Sequence, residues 1–276
     1  MDIKKLVIIR RCSQGLFLLL FVFILMPMGE HLAGMFPAKL FLRSSPLMVI
    51  RISMGTKAIA GGIGFAIVVL LLTMVFGRFF CGWICPMGTM IDCAGSLKKK
   101  RKVFSDTANR KISSVKFYLL GIFLILAFFK VQTAGVADPL VIMAKVVLFY
   151  IIPVLSMLFG FAYDYILQLR IPFLIFMLIL GISVFIPRLW CRVLCPLGAL
   201  YALVSKFALL RRVAPGCSDC KVCSTACRMG AIKDGGDYVK TECVLCMDCV
   251  YDCPENKVKF TWREFPGKRK KRRGGF

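Results

Sequence analysis

Residues 217–227 read CSDCKVCSTAC, and fifteen residues later positions 243–254 read CVLCMDCVYDCP. Each copy is Cys-x2-Cys-x2-Cys-x3-Cys. Three thiolates at spacings of three wrap a short loop around one iron–sulfur cube, while the fourth, on the following turn, points to a neighbouring cube. The pattern predicts a small α+β bacterial-type 2[4Fe-4S] ferredoxin domain. One cluster would take Cys217, Cys220, Cys223 and Cys253, and the other Cys243, Cys246, Cys249 and Cys227. Structural zinc is the competing reading, but zinc sites group four Cys as two pairs with a longer spacer. Pro254 follows the last ligand of the second copy, whereas Arg228 stands in that place in the first. A cation there is expected to raise the reduction potential of an anionic cluster.

Upstream, the chain changes character. Of 276 residues 59% are hydrophobic, mean hydropathy is +0.78, and 38 Lys and Arg against 14 Asp and Glu give a net charge of +24. Apolar excess joined to basic excess points to segments in lipid with cationic ends at an anionic membrane face. Nucleic acid is excluded as a partner, because the basic residues flank apolar runs or sit at the C-terminus and no binding motif lies between them. One histidine, His31, cannot make a two-histidine haem, and no Cys-x-x-Cys-His is present, so no haem is expected.

Four apolar runs, Leu16–Met28, Ala58–Phe80, Phe117–Val136 and Ile171–Trp190, predict four transmembrane helices. The basic N-terminus and the cluster Lys98-Lys99-Lys100-Arg101-Lys102 place the N-terminus and the loop after helix 2 in the cytoplasm. Leu140–Phe161 is apolar but interrupted by Lys145 and Pro153. A full crossing there would put the basic C-terminal half outside, so it reads as a re-entrant or interfacial hairpin. The expected fold is an all-α polytopic membrane domain over 1–205, the ferredoxin domain over 206–262 and a basic tail over 263–276. It places a multi-pass protein in the cytoplasmic (inner) membrane, with the ferredoxin domain in the cytoplasm.

Helices 2 and 4 end alike. Phe80-Cys81-Gly82-Trp83-Ile84-Cys85-Pro86-Met87-Gly88 and Trp190-Cys191-Arg192-Val193-Leu194-Cys195-Pro196-Leu197-Gly198 share aromatic-Cys-x3-Cys-Pro-x-Gly. The repeat suggests pseudo-symmetric helices that bring Cys81, Cys85, Cys191 and Cys195 together. Such thiols could share a metal or a further iron–sulfur site, or form redox-active dithiols; alone, each motif would read as Cys packing at a helix end. Cys12 and Cys93 read as structural.

With both motif pairs, the chain resembles the NapH family, the membrane ferredoxin-type subunit of the periplasmic nitrate reductase system, over nearly its whole length. Methylamine-utilisation, NosR-type and CcoG-type proteins share that core. The resemblance implies a quinol-oxidising membrane subunit passing electrons through cytoplasmic clusters to a ferredoxin-like or cytochrome partner. It transfers onto the eight tail cysteines and onto Cys81, Cys85, Cys191 and Cys195. No quinone-site residue of the family can be matched. Glu30, His31, Lys130 and Lys145 are chemically able to handle protons or charge, but read first as helix-end or snorkelling groups. The rival class is a redox-sensing or copper-handling assembly factor.

Overall fold

The computed structural model describes residues 3–25, 45–56, 63–97, 106–129, 138–151, 170–215, 217, 220–233, 236–255 and 257–262. Glu30, His31, Lys130, the cluster 98–102 and residues 152–161 lie outside them. The first half comprises α1 (Ile3–Leu25), α2 (Pro46–Thr56), α3 (Ile63–Phe76), α4 (Phe79–Trp83) and α5 (Pro86–Ser96). The second comprises α6 (Asp106–Phe128), α7 (Pro139–Val146) with a π-helical turn at Val147–Ile151, α8 (Arg170–Phe185), a π-helical turn at Trp190–Leu194 and α9 (Pro196–Ser205).

The two halves repeat one another. Helix α5 packs on α8 as α9 packs on α3; α5 packs on α1 as α9 packs on α6; α2 packs on α3 as α7 packs on α8. The repeat also reaches beyond the cysteine motifs. Proline opens both α2 and α7, in Ser45-Pro46-Leu47-Met48-Val49-Ile50 and Asp138-Pro139-Leu140-Val141-Ile142-Met143. Proline suits this first position because its missing N–H has no helical partner there anyway.

Among the described residues one helix, Lys5–Leu25, is long and apolar enough to cross a membrane. The helix starts well before Leu16, so Arg10 and Arg11 lie within it rather than ahead of it. Its inward face holds Phe21 while Leu16, Leu19 and Phe23 are exposed. Large apolar side chains are likewise exposed on α3 (Phe65, Val68, Leu71), α6 (Ile122, Ile125) and α8 (Leu174, Leu178).

The C-terminal unit is small. Strands β1 (Leu210–Val213) and β2 (Lys259–Trp262) pair antiparallel, Arg211 opposite Thr261. Between them lie α10 (Val222–Ala226), a 3-10 turn (Lys240–Glu242) and α11 (Asp248–Tyr251). Lys221 and Met247, equivalent residues of the two cysteine loops, both take left-handed backbone (φ 57° and 61°). That conformation costs a non-glycine residue about 1–2 kcal/mol, and it turns each loop just after its second cysteine. Cys12 and Cys93 are exposed. They do not pack as small core residues, because both face outward from α1 and α5.

Candidate iron–sulfur centres

The second cysteine loop and the far end of the first converge. Cys227, Cys243, Cys246 and Cys249 line one small cavity together with Arg212, Ile232, Val244 and Phe260. The Cys227 Sγ accepts from the Ala231 amide at 3.2 Å. Burial pushes the Cys243 thiol up to about 11 and the Cys249 thiol up to about 12, so these sulfurs ionise at neutral pH only beside a compensating cation.

At the other end, Cys223 and Cys253 pack in one small core with Cys249, Val250 and Val258. A Cβ at Gly236, whose φ is +82°, would stand 3.3 Å from the Cys217 Sγ. Glycine there serves both the turn and the approach of the thiol. The Lys257 ammonium, paired with Glu255 at 2.6 Å, lies within electrostatic reach of Cys217 and Cys253. Cys220 is exposed on the same loop. The Cys223 Sγ reaches the Cys249 carbonyl at 3.5 Å, so the two thiol sets adjoin.

The membrane-edge motifs also meet. Cys81, Cys85, Cys191 and Cys195 are all buried in one core, and each influences the others electrostatically. Their convergence follows from a reciprocal clasp. Arg78 donates from Nη2 to the Cys191 carbonyl at 3.2 Å, and Arg188 donates from Nη1 to the Cys81 carbonyl at 3.1 Å. Each arginine stands three residues before the first cysteine of its own motif and holds the first cysteine of the other. The glycine closing each motif permits the same turn: a Cβ at Gly88 would stand 2.6 Å from the Cys81 carbonyl, and one at Gly198 3.1 Å from that of Cys191. Arg78 and Arg188 carry no signal in a motif read from the aromatic residue onward. Extending the repeat by two residues would have revealed them.

Two buried carboxylates bind the C-terminal unit to this edge. Asp92 on α5 accepts from Arg188 (Nε 2.7 Å, Nη2 2.6 Å), Arg10 (2.9 Å) and Gln14 (3.0 Å), with Arg228 at 3.3 Å. Arg228 also donates to Asp248 at 2.8 Å. Its charge is thus shared between two carboxylates rather than directed at a cluster alone, and it joins the two units. Glu242 accepts from Arg78 at 3.4 Å and from Lys116. The Trp83 indole donates to the Leu245 carbonyl at 3.0 Å, and Arg10 donates to that of Cys246. The cavity loop 243–249 therefore lies directly on the cysteine edge, and Cys246 shares its core with all four edge thiols.

Contact is tightest at Gly82, where a Cβ would stand 2.2 Å from the Val244 carbonyl. The matching residue of the other motif is Arg192, because only one half of the pseudo-symmetric pair carries the C-terminal unit. Gly82→Ala is expected to destabilise the docked unit by about 1–3 kcal/mol, the usual cost of overpacking. Limited proteolysis should then release a fragment ending near Val213 sooner than from the unaltered chain.

The donor inventory tests what these thiols would hold. Among the described residues, buried donors left without a partner include Arg78 Nε, Trp190 Nε1 and the Tyr201 hydroxyl near the edge thiols, and Arg10 Nε and Arg212 Nε and Nη2 near the tail thiols. Buried donors are normally satisfied. Unpaired donors gathered around cysteines fit an anionic, sulfide-bearing group. No group of three or more His, Cys, Asp or Glu among the described residues is gathered tightly enough for a single metal ion.

Comparison with known proteins agrees with the chemistry. A family described as "4Fe-4S binding domain" matches residues 58–103 and 171–214, the segments holding the two membrane-edge motifs, and the NosR family matches 215–259. An uncharacterized protein of Methanocaldococcus jannaschii is 26% identical over 71% of this chain and 77% of its own length. NirI of Paracoccus denitrificans is 34% identical over 64% of this chain, and the methylamine utilization ferredoxin-type protein MauN of the same organism is 31% identical over 60%. The matches span 25% of NirI and 53% of MauN. No solved structure matches. The fold and its thiols are those of a cysteine-rich protein with segments similar to the 4Fe-4S binding domain and NosR families. More particularly, its cysteine-bearing segments are similar to those of NosR, NirI and MauN, of which it spans a quarter to about half.

Proposed function

We propose that the chain takes electrons from membrane quinol and passes them through its thiol-held clusters to a partner redox protein, as a NapH-type quinol dehydrogenase subunit does. The observation that carries this reading is the seating of the 243–249 loop on the cysteine edge, with Cys246 in one core with Cys81, Cys85, Cys191 and Cys195. When bound, iron–sulfur clusters accept and release single electrons with little change of geometry. Cys217, Cys220, Cys223 and Cys253 would hold one, Cys227, Cys243, Cys246 and Cys249 a second, and the four edge thiols a third.

The exposed apolar faces of α1, α3, α6 and α8 support four membrane spans, because a water-facing surface of that kind would be costly. The basic flanks then keep the N-terminus and the tail in the cytoplasm. The chain's own residues supply the rest: Arg78 and Arg188 hold the edge thiols together, Trp83 and Arg10 hold the cavity loop against them, and Arg212 faces the thiols of Cys223 and Cys249. Cys217 and Cys220, exposed at the far end, mark where a soluble carrier would take the electron.

The test is anaerobic mixing of the full chain in lipid nanodiscs with a short-chain quinol, followed by electron paramagnetic resonance. Rapid appearance of reduced-cluster signals is expected, and no signal within minutes would reject the reading. The NosR-family match to residues 215–259 favours one second reading, a redox-sensing or metal-handling role. Stoichiometric copper at the edge thiols with no quinol response would support it.

A further inference from the structure

Strand β1 carries two adjacent arginines with opposite fates. Side chains alternate between the faces of a strand, so Arg211 is exposed while Arg212, opposite Phe260 on β2, is 5% exposed. No carboxylate accounts for that burial, because among the described residues no ion pair includes Arg212. A buried guanidinium without a counter-charge is costly. Arg228, by contrast, is neutralised by Asp92 and Asp248.

The bonds that Arg212 does make fix which of its donors stay open. Its backbone amide donates to the Tyr238 hydroxyl at 3.1 Å, and its Nη1 donates to the Gly236 carbonyl at 2.6 Å. Nε and Nη2 are buried and have no partner. Those two nitrogens share one edge of the planar guanidinium, the fork whose parallel N–H bonds suit an anion. Arg212 lines the cavity of Cys227, Cys243, Cys246 and Cys249. On its anchored side stands Gly236, the glycine that the Cys217 Sγ of the other thiol set approaches. The two sets adjoin where the Cys223 Sγ reaches the Cys249 carbonyl at 3.5 Å, and one thiol of each, Cys249 and Cys223, lies within electrostatic reach of the guanidinium. Buried donors are normally satisfied. An anionic sulfur group at this seam would satisfy both nitrogens and supply the missing counter-charge.

We infer that Arg212 is the shared redox-setting cation of the tail: its Nε–Nη2 fork donates to sulfurs at the seam between the two cluster sites and raises the reduction potential of both. This rests on the tail thiols holding iron–sulfur clusters and is independent of what reduces them. An electron arriving at either site adds negative charge, so a fixed cation with N–H groups on the sulfurs favours the reduced form. Standing between the sites, Arg212 favours neither strongly over the other, and an electron crosses the seam with little change in energy. The effect expected of Arg228 from the sequence thus belongs to Arg212, whose charge no carboxylate cancels.

Redox titration of the full chain in nanodiscs, followed by electron paramagnetic resonance, tests this with Arg212→Gln, Arg212→Lys and Arg211→Gln. In Arg212→Gln the one-electron reduction of each cluster is expected to become at least tenfold less favourable, a fall of about 59 mV, at unchanged iron content. Arg212→Lys, which keeps the charge but not the fork, should recover part of the loss, and Arg211→Gln should change either equilibrium less than twofold. Changes below twofold at both clusters of Arg212→Gln, or equal changes in Arg211→Gln, would overturn the proposal. A change confined to one cluster would overturn the shared placement. Should Arg212→Gln lose iron, the unaltered chain grown with heavy-nitrogen arginine decides: a spin-echo coupling between a guanidinium nitrogen and the reduced clusters, lost in Arg212→Lys, is expected. Absence of that coupling, or its persistence in Arg212→Lys, would overturn the proposal. An unaltered chain without iron and sulfide would instead remove the clusters on which the proposal rests.

Discussion

Asp92→Ala is expected to separate the C-terminal unit from the helices, at a cost of about 3–5 kcal/mol, the usual penalty for removing one partner of a buried ion pair. The substitution leaves Arg188, Arg10 and Arg228 without the carboxylate that all three approach. Arg188 suffers most. It is wholly buried, gives Asp92 two hydrogen bonds and uses a third to clasp Cys81. Thermal unfolding in detergent, followed by fluorescence of the three tryptophans, should show a loss of the shared transition and an early melt of the tail.

The same carboxylate predicts a pH response. Burial pushes the Asp92 carboxyl up, but Arg188, Arg228 and Arg10 outweigh it and hold the group well below the usual carboxylate range. A carboxyl with a lowered folded-state pKa contributes stability that is complete above its unfolded value near 4 and is lost as pH falls below that value. Docking should therefore be flat with pH down to about 4 and weaken beneath it, with Asp92→Ala losing this dependence. Measuring tail release by proteolysis at graded pH in both proteins checks the expectation.

Cys246→Ser should have the largest effect on electron delivery. Cys246 lines the cavity and also touches the core of the edge thiols, so its sulfur stands at the junction of the two centres. Loss of that ligand is expected to remove one cluster's iron and its resonance signal. Reduction of the remaining tail cluster by quinol should fall to background, while dithionite still reduces it directly. The equivalent change at exposed Cys220 should remove the outer cluster and leave quinol able to reduce the inner one. Equal effects of the two substitutions would contradict a linear order from membrane edge to tail.

Much of the chemistry was legible in the amino-acid order. The eight tail thiols and the four edge thiols stand at spacings that a local loop can turn into a site, so pattern alone names them. Four apolar runs were visible for the same reason, since helical burial or lipid exposure writes itself into neighbouring residues. Other features were present but too short to read singly. Ser45-Pro46-Leu47 with Asp138-Pro139-Leu140 becomes a repeat only when the folded halves lay the two over one another, whereas Arg78 with Arg188 needs only a motif begun two residues earlier. Cys12 and Cys93, which read as structural for want of a partner motif, face outward.

The one-dimensional order thus determined the spacing of the thiols and the duplication of the cysteine motifs that end two apolar runs, because ligand spacing and hydropathy are local properties. Tertiary structure alone decided which surfaces those centres share. Gly82 against the Val244 carbonyl, Trp83 on the Leu245 carbonyl and Arg10 joining Asp92 to Asp248 link residues between 82 and 238 positions apart. Such contacts run largely through backbone oxygens, which every residue possesses, and so they leave no mark in side-chain identity until the chain is folded.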